Sequence, residues 1–223
     1  MGRARRTFER PPVDQVATLG RYATTVLSDA MGRAGAMSAR LRPLGPAVRM
    51  AGPALTVRLY PNDNFMCHLA VALAQPGDVL VIDGGNYLEA AVWGEMLTLA
   101  AIAKGVAGVV VDAAARDRDA IAGLGLPVFA SAVVPRGTFK RHAGDANVPI
   151  ACGGLAVAPG DIVVSDADGV VVIPRARAAE VIERVHEAEQ REASWRAALA
   201  EGTTLYELAG IDAMLAGSGI EWE

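Results

Sequence analysis

GDVLVIDGGNYLEAAVWGEMLTLAAIAKGVAGVVVDAAARDR, residues 77–118, decides how the rest of the chain is read. Val79 to Ile82 and Val106 to Val111 are short β-branched runs, the pattern of strands covered on both faces. The stretch between them suits a crossover helix, so two buried parallel strands joined by a helix are predicted. Each run ends in polar or small residues: Asp83-Gly84-Gly85-Asn86 after the first and Asp112 to Asp117 after the second. In open α/β sheets ligands bind beyond the carboxyl ends of the strands. Arg116-Asp117 therefore falls where such a fold does its chemistry.

Working outward, 223 residues suffice for one large domain with a substantial core. With 52% hydrophobic and only 5% aromatic residues, that core is built from Ala, Val, Leu and Ile, as in parallel α/β proteins. A net charge of −4 leaves no electrostatic footprint for nucleic acid. Arg3, Arg5, Arg6 and Arg10 form a basic cluster without the apolar region of a secretory signal and read as a solvated tail over residues 1–15. Apolar runs are broken well before the roughly 18 residues that a membrane helix needs. Cys67 and Cys152 match no CxxC or zinc spacing and read as buried free thiols. A soluble cytoplasmic protein with one domain over residues 16–223 is expected.

Val16 to Gly32 reads as helical, and Val48 to Leu59 as a strand bent at Gly52-Pro53, where proline requires an edge, a bulge or a strand start. Pro61 to Asn64 reads as a turn, with Asp63 or Asn64 capping a helix through about Ala74. His68 on that helix is either a satisfied structural histidine among apolar neighbours or a site residue. Arg116 to Gly123 reads as a short helix, Pro127 to Pro135 as two extended segments, and Arg136-Gly137-Thr138 as a turn or loop. From Val148 short strands follow at close spacing: Pro149 to Cys152, Leu155 to Val157, Asp161 to Ser165 and Val170 to Ile173. Asp166-Ala167-Asp168-Gly169 joins the last two, and its carboxylates fit a polar hairpin tip better than a metal site. Ala176 to Ala200 is a long helix, and Leu205 to Trp222 is amphipathic.

Lys104 and Lys140 are the only lysines, and both have surface-like contexts that do not suit a Schiff base. Lys104 reads as a cation complementing a helix C-terminus. His68, His142 and His186 have no zinc spacing, so any metal here is a hard cation bound by oxygen. Mg²⁺ or Mn²⁺ needs only one or two protein carboxylates, and Asp117 is the best single candidate. Gly94-Glu95-Met96-Leu97 can open a helix whose free N–H groups attract a carboxylate or phosphate. Glu95 is then either a neighbour of the bound anion or a first-turn glutamate that complements the macrodipole. Gly84-Gly85 matches neither GxGxxG nor a P-loop, and nucleotide binding is not indicated.

Asp63 to Met66, Gly94 to Leu97, Val111 to Asp117, Asn147-Val148-Pro149 and Gly160 to Pro174 resemble the RraA-like family. Within it they resemble the class II pyruvate aldolases acting on 4-hydroxy-4-methyl-2-oxoglutarate and 4-carboxy-4-hydroxy-2-oxoadipate. The most specific motif is an acidic residue, twenty residues and then Arg-Asp, met by Glu95, Arg116 and Asp117. The branch named for regulating ribonuclease E generally lacks that Arg-Asp pair, so the resemblance favours the enzyme over a non-enzymatic regulator. Many aldolases of the group have Asp where this chain has Glu95.

The resemblance implies a β/β/α sandwich-like fold with a central, largely parallel sheet. It also implies a homotrimer, or a hexamer of two trimers, with active sites at subunit interfaces. It assigns Mg²⁺ or Mn²⁺ to Asp117, the metal's waters to Glu95, and the keto oxygen of pyruvate to Arg116. The pyruvate carboxylate falls to the backbone at Gly94, Met96 and Leu97, with Asn64 and His68 lining the pocket. A glutamate from a neighbouring subunit's C-terminal helix, matched here by Glu192, completes the set, although Trp195 and Arg196 replace the acidic residues expected after it. The implied reaction is metal-dependent retro-aldol cleavage of a 4-hydroxy-2-oxo acid to pyruvate, with a metal-activated water as base and with oxaloacetate decarboxylation through the same enolate. An enzyme of the same fold acting on another oxo acid is a further alternative.

Overall fold

The computed structural model describes residues 2–215 and 218–220. The chain divides into two compact units, Met1–Ile182 and Glu183–Glu223, so the stretch from residue 16 onward is shared between them. The first unit opens with two short helices, α1 (Val13–Leu19) and α2 (Thr24–Ala30), in place of the continuous helix predicted there. They are separated by Gly20 to Ala23. The ladder at the heart of the unit comprises β2 (Met50–Arg58), β3 (Val79–Asp83), β5 (Gly108–Ala115) and β6 (Val128–Val133), numbered with β1 (Arg42–Pro43) and β4 (Ala91–Trp93) in chain order. Neighbouring strands in this ladder run parallel, with β1 antiparallel at the β6 edge.

Both predicted strands of residues 77–118 are present, with two corrections. The second begins at Gly108 and runs through Ala115, so Asp112 lies inside the strand. A buried strand accepts this carboxylate because Arg40, the Ser131 hydroxyl and the Gly153 N–H all donate to it. The connection holds more than a helix: β4 pairs with the end of β5 before α4 (Glu95–Ala103) begins. Three apolar residues bounded by Gly94 carry too little periodicity to be read as a strand.

The Gly52-Pro53 bend predicted in β2 coincides with a change of partner. Residues 50–53 pair antiparallel with β10 (Ile162–Asp166), and residues 54–58 pair parallel with β3. Gly52 is required there because a Cβ would lie 2.1 Å from the Gly77 carbonyl oxygen. The short β7 (Asp145–Ala146) pairs antiparallel with the end of β2. The hairpin β10–β11 (Gly169–Ile173) continues the sheet, while β8 (Ile150–Cys152) and β9 (Leu155–Val157) form a separate two-stranded ladder. Asp166 at the hairpin tip accepts bonds from the Thr24 N–H and hydroxyl, a structural use that matches the hairpin reading.

The two sheet faces bury different clusters. Leu55, Val57, Leu80, Ile82, Val109 and Val111 pack with residues of α3 (Phe65–Leu73) and α4. Ala54, Val79, Val81, Val110 and Phe129 pack with β8, β9 and the β10–β11 hairpin. The layers are thus helix, sheet and β-ladder, a mixed α/β fold. The first residues are less free than a solvated tail: Arg3 N–H donates to Asp145 at 2.6 Å, Ala4 bridges Ala146, and Arg10 forks onto the buried Asp78. Buried carboxylates at 145 and 78 demand donors, and the N-terminal stretch supplies them.

Helix α5 (Arg118–Leu124) follows β5, and α6 (Ala178–Ala200) runs from the first unit into the second. The second unit also holds α7 (Leu205–Leu208), closed by a Thr204–Glu207 capping box, and α8 (Ile211–Leu215). The amphipathic stretch predicted to Trp222 extends past these into residues 216, 217 and 221–223, which lie outside the described residues. Among the described residues no helix is long and apolar enough to cross a membrane. Cys67 and Cys152 are buried and free, and burial pushes both thiols up, away from reactive thiolate.

Candidate active site

A cavity of about 170 Å³ lies where β4, β5, α3 and α4 converge, with the loop after β6 forming one wall. Arg116 and Asp117 enter it from the end of β5. Asn64 and His68 come from the start of α3, and Gly94, Met96 and Leu97 from the start of α4. Seven of the predicted residues thus share one cavity. Glu95 lies between Gly94 and Met96 but contributes its backbone, donating its N–H to Asp117 Oδ2 at 3.1 Å. Glu192 belongs to the second unit, where its carboxylate accepts from Arg196 at 2.6 Å.

Asp117 carries the geometry. Its backbone is left-handed, φ 60° and ψ 38°, which turns the chain sharply from β5 into α5. Only Gly, Asn and Asp visit this region readily, and strain of this kind concentrates at functional sites. The turn points Oδ2 at α4, whose own N-cap, Gly94, offers no side-chain cap. The carboxylate thus caps a helix from a different strand and satisfies one of its orphan N–H groups. Oδ2 also lies 3.4 Å from the Arg116 Nε, with both side chains partly exposed to the cavity.

Gly94 is a spacing residue here, since its φ of −166° is ordinary extended backbone. A Cβ at this position would lie 2.7 Å from Asp117 Oδ2 and 3.2 Å from Arg116 Cγ. Gly137 performs the same service for the guanidinium: a Cβ there would lie 2.8 Å from Arg116 Nη1. The N–H groups of Met96 and Leu97 have no partner among the described residues, and both residues line the cavity. They give a ready anion site at the positive end of the helix dipole.

Asn64 is almost buried, and its Nδ2 donates to the Val92 carbonyl at 3.1 Å while Oδ1 finds no partner. His68 is held below the ordinary histidine range, chiefly by partial desolvation and further by the Lys140 charge. His68 is exposed at the cavity and not enclosed among apolar neighbours. Lys140 is exposed, as its surface-like context suggested, and it lines the same cavity with Thr138. Both belong to an irregular segment whose only pairings are single bridges, such as Asp63 with Phe139. Such a segment carries no periodic signal, and the sole pointer was the Arg-Gly-Thr turn. Lys104, by contrast, does close α4 as its C-cap.

A divalent hard cation fits these donors in one respect. Asp117 Oδ1 has no protein partner among the described residues, and it faces a polar cavity. No group of three or more His, Cys, Asp or Glu gathers among the described residues, so a closed all-protein cage is absent there. A cation that keeps most of its waters and takes one carboxylate suits this arrangement.

The model described as RraA-like: Aldolase/RraA matches residues 24–172. The chain belongs to the RraA-like family. The matched span includes every cavity residue and ends before Glu192. A protein of Halalkalibacterium halodurans named "Putative 4-hydroxy-4-methyl-2-oxoglutarate aldolase" is 36% identical over 172 residues, covering 77% of this chain and 82% of its own. A Burkholderia mallei protein of the same name is 39% identical over 157 residues, covering 68% and 94%. Among solved structures, Streptomyces coelicolor RraAS2, titled an unusual member of the RNase ES inhibitor RraA protein family, is 30% identical. Its TM-score is 0.76 over 85% of this chain and 99% of its own. The RraA-like fold is thus shared with proteins named for two unrelated activities, and only the site separates them.

Proposed function

We propose that this RraA-like protein is a divalent-metal-dependent lyase. It cleaves a 4-hydroxy-2-oxo acid, such as 4-hydroxy-4-methyl-2-oxoglutarate or 4-carboxy-4-hydroxy-2-oxoadipate, to pyruvate and a second keto compound. One observation carries the reading: the Arg116-Asp117 pair shares a cavity with the unpartnered N–H groups that begin α4. The names of the relatives support the same reaction class.

The N–H groups of Met96 and Leu97 bind the carboxylate next to the keto group. Arg116 donates to the keto oxygen. Retro-aldol cleavage breaks C3–C4, its electron pair becomes the pyruvate enolate, the C4 hydroxyl proton passes to water as C4 becomes a carbonyl, and water returns a proton to C3 to give pyruvate. Negative charge grows on the keto oxygen, and a donor already aimed there lowers the barrier without reorganising. Asp117, assisted by Glu95 through water, would hold Mg²⁺ or Mn²⁺, which when bound supplies further charge stabilisation at that oxygen. Lys140 gives the cavity a second cation for the distal carboxylate of such substrates. Oxaloacetate decarboxylation uses the same enolate and is expected alongside.

Apolar side chains are exposed on the segments that line the cavity: Met96, which lines it, is 73% exposed, and Phe139 and Phe65, next in sequence to Thr138 and Asn64, are 52% and 47% exposed. Covering these side chains by a neighbouring copy suits a trimer or a hexamer of trimers, in which Glu192 of another subunit completes the site. The test is pyruvate release from a panel of 4-hydroxy-2-oxo acids and oxaloacetate, coupled to lactate dehydrogenase. Arg116→Ala and Asp117→Ala should abolish it, and EDTA should abolish it until Mg²⁺ is restored. Unchanged turnover in either variant removes the proposal. The RraAS2 likeness favours one competing reading, ribonuclease inhibition; it predicts no metal-dependent pyruvate production with any member of the panel.

A further inference from the structure

Asp63 lies behind the cavity wall, 1% exposed, and the bonds of its carboxylate all go to segments that form that wall. Oδ1 accepts the Phe65 N–H at 2.8 Å, at the start of α3. Oδ2 accepts the N–H groups of Arg141 at 2.7 Å and His142 at 3.0 Å, and lies 3.1 Å from His142 Nδ1. The His142 ring stacks on Tyr60 with centroids 4.5 Å apart. Beside the carboxylate, the Asn64 N–H donates to the Phe139 carbonyl at 2.9 Å, and the Thr138 hydroxyl donates to Asn62 Oδ1 at 3.0 Å.

Residues 134–144 otherwise contain neither helix nor strand beyond single bridges. The position of Lys140 and Thr138 relative to α3 therefore depends on this buried carboxylate and the bonds beside it. A satisfied buried polar network fixes geometry in a way that an irregular loop alone does not. The cavity holds two separate attractions for anions: the start of α4 with Arg116, and Lys140, whose ammonium makes no ion pair among the described residues. A ligand with one carboxylate uses the first, and a dicarboxylate can use both.

We propose that Asp63 is a positioning residue for substrate specificity: by joining the 138–142 segment to the start of α3, it holds Lys140 where the distal carboxylate of an oxo diacid binds. This rests on the reading of the cavity as an oxo-acid site. It assigns to Asp63 a part in selecting diacids over pyruvate-like monoacids, exerted through Lys140 and without contact with the ligand.

The experiment is calorimetric binding of pyruvate and of 2-oxoglutarate to the full chain with Mg²⁺ present. Asp63→Asn offers one acceptor oxygen where four donors converge, and it should weaken 2-oxoglutarate about tenfold, the scale of one charge-assisted contact, with pyruvate changed less than twofold. Lys140→Ala should show the same split, and the double variant should bind no worse than Lys140→Ala within about twofold. Equal weakening of both ligands, multiplied losses in the double variant, or no binding of either ligand by the wild type overturns the proposal. If Asp63→Asn does not fold, His142→Ala removes a half-exposed side chain and leaves the backbone bonds; it should show the same split at about threefold, and equal weakening again overturns the proposal. A wild type that shows the split but releases no pyruvate from any 4-hydroxy-2-oxo acid refutes the proposed reaction and leaves the role of Asp63 standing.

Discussion

Gly94→Ala adds a single methyl group where the fold tolerates it and the site does not. The backbone at 94 is extended, so alanine meets no conformational strain. Its Cβ would lie 2.7 Å from Asp117 Oδ2, whereas ordinary contact begins near 3.4 Å, which demands a displacement of about 0.7 Å. The displaced carboxylate loses the Glu95 N–H, and Arg116 Cγ, at 3.2 Å from the new atom, moves with it. A misplacement of roughly 1 Å in a reacting group costs about a hundredfold in rate. We therefore expect kcat/KM for pyruvate release to fall about thirtyfold or more, equivalent to ~2 kcal/mol of lost transition-state stabilisation. Glycine is also the better N-cap, by ~1 kcal/mol, which lowers the melting temperature by at most about 4 °C in a chain of this size. The assay is coupled pyruvate release beside a thermal melt followed by circular dichroism. A folded variant that keeps kcat/KM within threefold of wild type refutes the packing of Arg116-Asp117 against Gly94 as the basis of the site.

Asp117→Gly should melt above Asp117→Ala by about 1 kcal/mol, because only glycine relieves a left-handed backbone, while both lose activity; equal melting of the two refutes the strain. Gly123→Ala should stabilise by ~0.5–1 kcal/mol in a urea melt, since Gly123 lies within α5 and an added Cβ meets nothing within 4 Å. Acid should destabilise the fold in a defined window. Burial raises Asp63 and Asp166, but donors from Phe65, Arg141 and His142, and from Thr24, outweigh it; in Asp145 the Arg3 N–H leads. All three carboxyls sit below their ordinary range, so their stabilisation is complete above about pH 4 and is lost as pH falls through the lower folded values. Asp83, raised by burial, works in the opposite sense and offsets part of the loss. Melting temperatures from about pH 6 to about pH 3 should fall, and fall less in Asp63→Asn; parallel curves for the two proteins refute the assignment.

The parts of the site that were legible in the sequence are those that regular elements carry. Arg116 and Asp117 follow a β-branched run, and Met96 and Leu97 follow a glycine that opens a helix; strand ends and helix starts are where unpaired backbone and charge must gather. The fold was legible for the same reason. Val79 to Ile82 and the run into Val111 carry the β-branched pattern of strands buried on both faces, and the Gly52-Pro53 bend marked the place where β2 changes partner. Asp112 was misplaced to a strand end because nothing near it in sequence announces its donors: Arg40, Ser131 and Gly153 are 72, 19 and 41 residues away. The place of Lys140 and Thr138 in the cavity was illegible for the same reason and more instructively, since their position is set by Asp63, 78 and 79 residues before the amides that bind it. A residue that acts by tying two distant segments has no local pattern, yet its burial and converging donors distinguish it once the fold is known. In this fold Asp117 ties β5 to α4 while lining the cavity, and Asp63 ties the 138–142 segment to α3 from behind it. Two carboxylates thus fix two walls of one cavity, and the chemistry differs between them because one reaches the ligand and the other does not.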